Sequence, residues 1–116
     1  MKTSEIKSMA TAYIMNTYGD RKLAFVRGEG AYIWDADGVK YLDFLGGIAV
    51  NSLGHCHPNV VSAIREQAGT LIHVSNLYYI EPQAKLAKLL IDNCDLDQCF
   101  FCNSGAEANE AAIKLA

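Results

Sequence analysis

Residues 100–116 read FFCNSGAEANEAAIKLA, and the break inside this stretch decides what fold the chain supports. An apolar run, Cys99 to Cys102, stops at Asn103-Ser104-Gly105-Ala106, and an alanine-rich run follows. The segment QCFFCN (98–103) is short, apolar and aromatic, which predicts a buried strand. The tail from Gly105 predicts a helix. Strand, tight turn and helix in succession turn the break into a possible site. The first N–H groups of a helix lack intrahelical partners and sit at the positive end of its dipole. A phosphate can accept hydrogen bonds from them. Gly105 and Ala106 are small enough for close approach, and Ser104 adds a hydroxyl. The same string is also a capping box, S-x-x-E, in which Ser104 and Glu107 satisfy each other's backbone donors. On the string alone, capping is the stronger reading. The two are compatible, because a cap leaves other first-turn N–H groups free. No G-K-[ST] and no G-x-G-x-x-G followed by a helix signal is present, so the common nucleotide loops do not fit.

Working outward, the rest of the chain alternates helical and extended patterns. Ser4 with Glu5 can open a helix with Ile6, Met9, Tyr13 and Ile14 near one face, ended by Gly19-Asp20. LAFVRGEG (23–30), AYIWDADG (31–38) and VKYLDFLGG (39–47) predict a small antiparallel meander over about residues 23–45. Asp37-Gly38 is its clearest turn, since glycine accepts positive φ. GGIAVNSLGHCHPN (46–59) reads as loop. Pro58 suits the first turn of a helix, with Val60 or Val61, Ile64, Ala68, Leu71 and Ile72 as its apolar face. A further helix over about 81–93 places Leu86, Leu89 and Leu90 inward and Lys85 and Lys88 outward. The expected class is α/β. The expected division is 1–75 (helix, meander, loop, helix) and 76–116, the start of a larger domain.

Bulk properties narrow the function classes. The chain has 116 residues, is half apolar and one-fifth charged, and carries a formal net charge of −3. Acidic and basic residues are interspersed, which argues against nucleic acid and anionic membrane as partners. The longest apolar runs are too short to span a bilayer. The N-terminus lacks a secretory pattern. Cys56, Cys94, Cys99 and Cys102 are not the dense framework of a small secreted domain, so a reducing cytoplasm is the expected setting.

Other constellations are weaker. Gly28-Glu29-Gly30 reads as a bend between strands. Cys99 and Cys102 have C-x-x-C spacing, but residues three apart on a strand face opposite ways, so a core role is expected for both. Asp35-Ala36-Asp37-Gly38 lacks the later ligands of a calcium loop. His55-Cys56-His57 has no third ligand nearby, so packing ahead of the Pro58 helix is expected, and no metal site is assigned.

Three stretches carry a resemblance: GEGAYIWDADGVKYLDFLGGIAVNSLGHCHP (28–58), HVSNLYYIEPQAKLAKLL (73–90) and FCNSGAEANEAAIKLA (101–116). Together they resemble the fold-type I, pyridoxal-phosphate-dependent class III aminotransferases. Within that family the chain is most similar to bacterial acetylornithine aminotransferases, from about Tyr18 to Ala116. The resemblance implies that Ser104, Gly105 and Ala106 cradle the phosphate of pyridoxal 5'-phosphate. It implies that the loop Gly46–Val50 borders the substrate pocket. Similar enzymes that take free ornithine tend to have Tyr at the position of Ile48, so an apolar residue there fits an acylated or absent second amino group. Asn76–Tyr79 lie near a dimer interface in such enzymes, so Tyr78 is a candidate to touch a partner's site. Aromatic packing between two helices is the other reading of those tyrosines.

The implied reaction moves an amino group from N-acetylornithine to 2-oxoglutarate, in arginine biosynthesis, by a cytoplasmic homodimer. It needs a Schiff-base Lys, an acidic partner for the pyridinium nitrogen and an Arg for a substrate carboxylate. In the family these follow the phosphate loop, and none of the lysines here matches their motifs. The last helix shows no C-cap, Gly or Pro stop. The expectation is therefore the N-terminal portion of a larger enzyme, inactive alone. Two alternatives stay open: another class III enzyme acting on ornithine, succinylornithine or 4-aminobutyrate, or an aminomutase; and a non-catalytic folding or interaction unit.

Overall fold

A computed structural model describes residues 1–116, which divide into two compact units, Met1–Ile72 and His73–Ala116.

The first unit opens with α1 (Thr3–Tyr13), where Glu5 accepts a hydrogen bond from the Lys2 N–H at 2.7 Å. It ends earlier than Gly19-Asp20, because Ile14 turns extended at φ −112° and ψ 129°. The expected meander follows: β1 (Phe25–Glu29), β2 (Tyr32–Asp35) and β3 (Lys40–Leu42), antiparallel in the order β1-β2-β3. Glu29 pairs with Tyr32, so Gly30-Ala31 is a two-residue turn with glycine first, at φ 56°. At the other hairpin Gly38 takes φ 89°, its N–H donates to the Asp35 carbonyl at 3.1 Å, and Asp35 N–H donates to the Val39 carbonyl. Positive φ at the Asp-Gly step was the reason for expecting a turn there.

The two sheet faces are held differently. On one, the Arg27 guanidinium lies 4.3 Å from the Trp34 ring centre and the Lys40 ammonium 3.8 Å from that of Tyr32. Such cation–π contacts at exposed sites contribute about 0.5–1 kcal/mol each. On the other, Phe25 meets Tyr41 edge-to-face at 5.5 Å. Asp35, only 5% exposed, is the one buried polar or charged residue.

After the sheet comes α2 (Gly46–Ala49), a single helical turn within the stretch expected to be loop. Then α3 (Pro58–Thr70) starts with proline in its first turn, as expected, and His57 Nδ1 accepts a hydrogen bond from the Asn59 N–H.

The second unit holds α4 (Glu81–Ile91) and α5 (Gly105–Leu115). Lys85 pairs with Glu81 and Lys88 with Asp92, each one turn apart on the outer face of α4. The expected strand at 98–103 does not form, because its backbone has no partner strand to complete a ladder. Cys99 and Cys102 are exposed thiols rather than core residues.

No apolar side chain in either unit is buried. Leu86, Leu89 and Leu90 on α4 and Ile64 on α3 follow the expected helical spacing, yet all are exposed. Within the first unit it is the β-strands that pack extensively on one another. No helix is long and apolar enough to cross a membrane.

Candidate functional site

The turn before α5 forms the capping box read from its sequence. Ser104 is the extended N-cap, with φ −150° and ψ 159°, and its Oγ accepts from the Glu107 N–H at 3.3 Å. Glu107 Oε2 accepts from the Asn103 N–H at 2.7 Å and from the Ser104 N–H at 3.1 Å. The capping box therefore uses three donors and leaves the N–H groups of Gly105 and Ala106 without an acceptor. Both residues are exposed, and a Cβ built on Gly105 would meet nothing within 4 Å. Two open N–H groups at a helix N-terminus, beside a hydroxyl, form an arrangement that can hold a phosphate. An adjoining cavity of about 500 Å³ is lined by Asn76, Phe101, Asn103 and Glu107, but not by Ser104, Gly105 or Ala106.

Tyr78 lines a separate cavity of about 610 Å³, with Asn76, Tyr79, Ile80 and Phe100. Its side chain is 67% exposed and that of Tyr79 fully so, which corrects the reading of these tyrosines as packed between two helices.

Ile48 sits in the most unusual backbone of the molecule. Gly46, Gly47, Ile48 and Ala49 have φ of 54°, 67°, 64° and 59° in succession, with ψ of 33° and 60° at Gly47 and Ile48. α2 is thus one turn of left-handed helix. Its hydrogen bonds run from Ala49 N–H to the Leu45 carbonyl (3.0 Å) and from Val50 N–H to the Gly46 carbonyl (2.9 Å). A non-glycine residue pays roughly 1–2 kcal/mol for this region, and two such residues occur in a row. Strain of this kind collects at functional sites because only surrounding structure can hold it. Ile48 presents its side chain to solvent, 80% exposed.

The structure also brings together residues that the sequence left unconnected. Asp43 Oδ1 accepts from the N–H groups of Leu45 (2.9 Å) and Gly46 (3.0 Å), at the entrance to α2. Its Oδ2 lies 2.6 Å from His55 Nε2. The His55 bond, then the Gly46 bond, hold the Asp43 carboxyl below the usual aspartate range despite partial burial. An ionised carboxylate only accepts, so the pair fixes the imidazole proton on Nε2. His55 and His57 thus have separate structural tasks, and Cys56 between them turns left-handed at φ 55°. The only local signal was the Gly46-Gly47 pair, which marks a left-handed turn but says nothing about Ile48 and Ala49 joining it. A further cavity of about 310 Å³ along α1 carries none of the predicted site residues.

Comparisons with known proteins converge. The family model described as aminotransferase class-III matches residues 13–116. An acetylornithine aminotransferase of Methanocaldococcus jannaschii is 60% identical over 104 residues, which are 90% of this chain and 26% of that protein. The solved acetylornithine aminotransferase of Elizabethkingia anophelis matches 99% of this chain and 30% of its own, with a TM-score of 0.93 at 31% identity. The taurine:2-oxoglutarate aminotransferase of Bifidobacterium kashiwanohense, solved in complex with PLP and glutamate, matches 99% of this chain and 27% of its own, with a TM-score of 0.90 at 35% identity. The chain therefore spans under a third of the length of these three proteins.

Proposed function

Because the chain belongs to the class-III aminotransferases, we propose that it supplies the N-terminal segment of an enzyme moving an amino group from N-acetylornithine to 2-oxoglutarate. The proposed cofactor is pyridoxal phosphate, the setting the cytoplasm and the pathway arginine biosynthesis. The observation that carries the reading is the pair of open N–H groups at Gly105 and Ala106 beside the Ser104 hydroxyl. The named acetylornithine relatives supply the amino donor.

In this reading the Gly105 and Ala106 N–H groups and the Ser104 hydroxyl hold the cofactor phosphate. The Glu107 carboxylate keeps its place on the Asn103 and Ser104 N–H groups and so fixes the shape of the cradle. When bound, pyridoxal phosphate supplies the electron sink for labilising the amino acid's Cα proton. The chain's part is to anchor and orient that group, which lowers the barrier by removing orientational freedom before the reaction. Ile48 borders the amino-donor pocket and offers no hydrogen bond to a second, free amino group. Tyr78 approaches the site of a second subunit in a homodimer. The apolar residues left exposed on α3 and α4 support a segment that packs against further protein.

The test joins residues 1–116 to the remaining part of the Methanocaldococcus relative. N-acetylornithine, ornithine, succinylornithine and 4-aminobutyrate are then compared as donors to 2-oxoglutarate. The highest kcat/KM is expected with N-acetylornithine. Preference for ornithine or 4-aminobutyrate would overturn the substrate assignment, and a protein that binds no pyridoxal phosphate would overturn the cofactor site.

A further inference from the structure

We propose that Asp43 and His55 are positioning residues for amino-donor binding, because together they hold the left-handed turn Gly46–Ala49 that presents Ile48. The proposal rests on the functional reading above only in what Ile48 is presented to; the clasp itself stands on geometry.

Three constraints converge on His55. Its backbone forms a two-way bridge with Gly30: the Gly30 N–H donates to the His55 carbonyl at 2.9 Å, and the His55 N–H donates to the Gly30 carbonyl at 2.7 Å. Its ring lies over Gly28, where a Cβ would fall 2.6 Å from His55 Cγ. Gly54 lets the chain cross Gly30 closely, for a Cβ there would stand 2.9 Å from the Gly30 carbonyl oxygen. The end of the loop is thus fastened to the rigid sheet, with the imidazole aimed at Asp43.

Asp43 links that anchor to the strained turn. One carboxylate oxygen takes His55, and the other takes the two N–H groups that open α2. Its side chain is 9% exposed and that of His55 22%, so water competes poorly for these bonds. Charge-assisted hydrogen bonds of this kind are the strong ones. Both flank a cavity of about 330 Å³ with Gly46, Asn51, Ser52 and Leu53. Without the clasp, Ile48 and Ala49 have no local reason to remain left-handed, since both relax readily to negative φ.

The first experiment follows amide hydrogen exchange at residues 45–51 of the joined enzyme. In His55→Ala, exchange at Leu45, Gly46, Ala49 and Val50 is expected to rise about tenfold or more. Asp43→Asn removes the charge that holds both the His55 imidazole and the two N–H groups of Leu45 and Gly46, so its protection should also fall below wild type. Ala49→Gly removes backbone strain from the turn and should restore much of the protection lost in His55→Ala. Wild-type exchange in His55→Ala, or no rescue by Ala49→Gly, overturns the clasp. Should His55→Ala fail to fold, Asp43→Asn alone decides: exchange identical to wild type overturns the proposal.

The second experiment measures the donor kinetics of the same variants. The KM for the amino donor is expected to rise about tenfold while kcat falls much less, with Ala49→Gly again restoring KM. Equal losses in kcat and in pyridoxal-phosphate affinity, with no rise in KM, overturn the positioning role. A joined wild-type enzyme inert toward every donor overturns the proposed function instead, and the exchange data still judge the clasp.

Discussion

The Tyr41 phenol donates to Asp35 Oδ2 at 2.9 Å, and the same carboxylate accepts from the Val39 N–H (2.8 Å) and the Asp37 N–H (3.0 Å) through Oδ1. One side chain therefore closes the β2–β3 hairpin and ties it to the strand that leaves it. Desolvation alone would raise this carboxyl, but the bonds from Val39, Tyr41 and Asp37 outweigh it, and its pKa falls below the ordinary value. Asp43 is lowered too, chiefly by His55. With both folded-state values depressed, the unfolded chain binds more protons through the aspartate range. Stability is present above the unfolded value, about 3.9, and is lost as pH falls through the folded values. Thermal melts followed by fluorescence of Trp34, the one tryptophan, should show Tm dropping below about pH 5. Asp35→Asn should flatten that dependence. Equal slopes in wild type and variant would count against this role for Asp35.

Glycine substitutions should separate backbone strain from collision. Gly19→Ala meets only the cost of φ 72°, with nothing within 4 Å of the new methyl, and should lose about 1–2 kcal/mol. Gly54→Ala adds a backbone collision at 2.9 Å to φ 83°. It should lose clearly more, because the carbonyl of Gly30 cannot move without breaking its bridge to His55. Urea titrations compare the two variants, and equal losses would refute the close crossing.

Local chemistry made much of this fold readable. Gly38 and Pro58 announced a turn and a helix start through φ alone, and Ser104 with Glu107 announced a cap through spacing. Readings that depended on distant partners failed. Phe100 and Phe101 looked like strand because they are apolar and aromatic, but a strand exists only against a neighbour. Leu86 and Leu90 kept the helical period, yet each stays 46% exposed. Asp43 and His55 lie twelve residues apart, joined only because Gly28, Gly30 and Gly54 allow close backbone approach. No local motif encodes that meeting.

Ile48→Tyr in the joined enzyme should shift preference toward ornithine. A phenol at the exposed tip of α2 can accept from a free ammonium, which an aliphatic side chain cannot. The ratio of kcat/KM for ornithine over N-acetylornithine should rise about tenfold or more, since hydrogen-bonding pockets discriminate more sharply than apolar ones. An unchanged ratio would remove Ile48 from the pocket.

Ser104→Ala should act twice. It removes the acceptor for the Glu107 N–H, at a cost of about 1 kcal/mol to α5. It also removes a donor to the proposed phosphate. Ser104→Thr retains both functions. Equilibrium dialysis with pyridoxal phosphate in the joined enzyme should show weaker binding for Ala and near-wild-type binding for Thr. Equal binding by all three would leave Ser104 as a cap alone.

The 116-residue chain by itself is expected to show no aminotransferase turnover. The reaction needs a lysine amine close to the cofactor aldehyde, able to release it to substrate and to carry the Cα proton. Lys7, Lys85, Lys88 and Lys114 are exposed and engaged in ion pairs, with Asp20, Glu81, Asp92 and Glu110 respectively, while Lys40 lies over Tyr32. Lys114 is the nearest in sequence to the phosphate turn, yet it follows Gly105 along α5 itself. By helix geometry it stands about 14 Å down the axis from the N-terminus, on a helix whose open N–H groups face away from its C-terminal end. Mixing the purified chain with pyridoxal phosphate, reducing with borohydride and mapping labelled lysines by mass spectrometry tests this. Scattered, substoichiometric labelling is the expected result. One lysine labelled stoichiometrically, together with turnover of N-acetylornithine, would show that the chain carries its own catalytic amine.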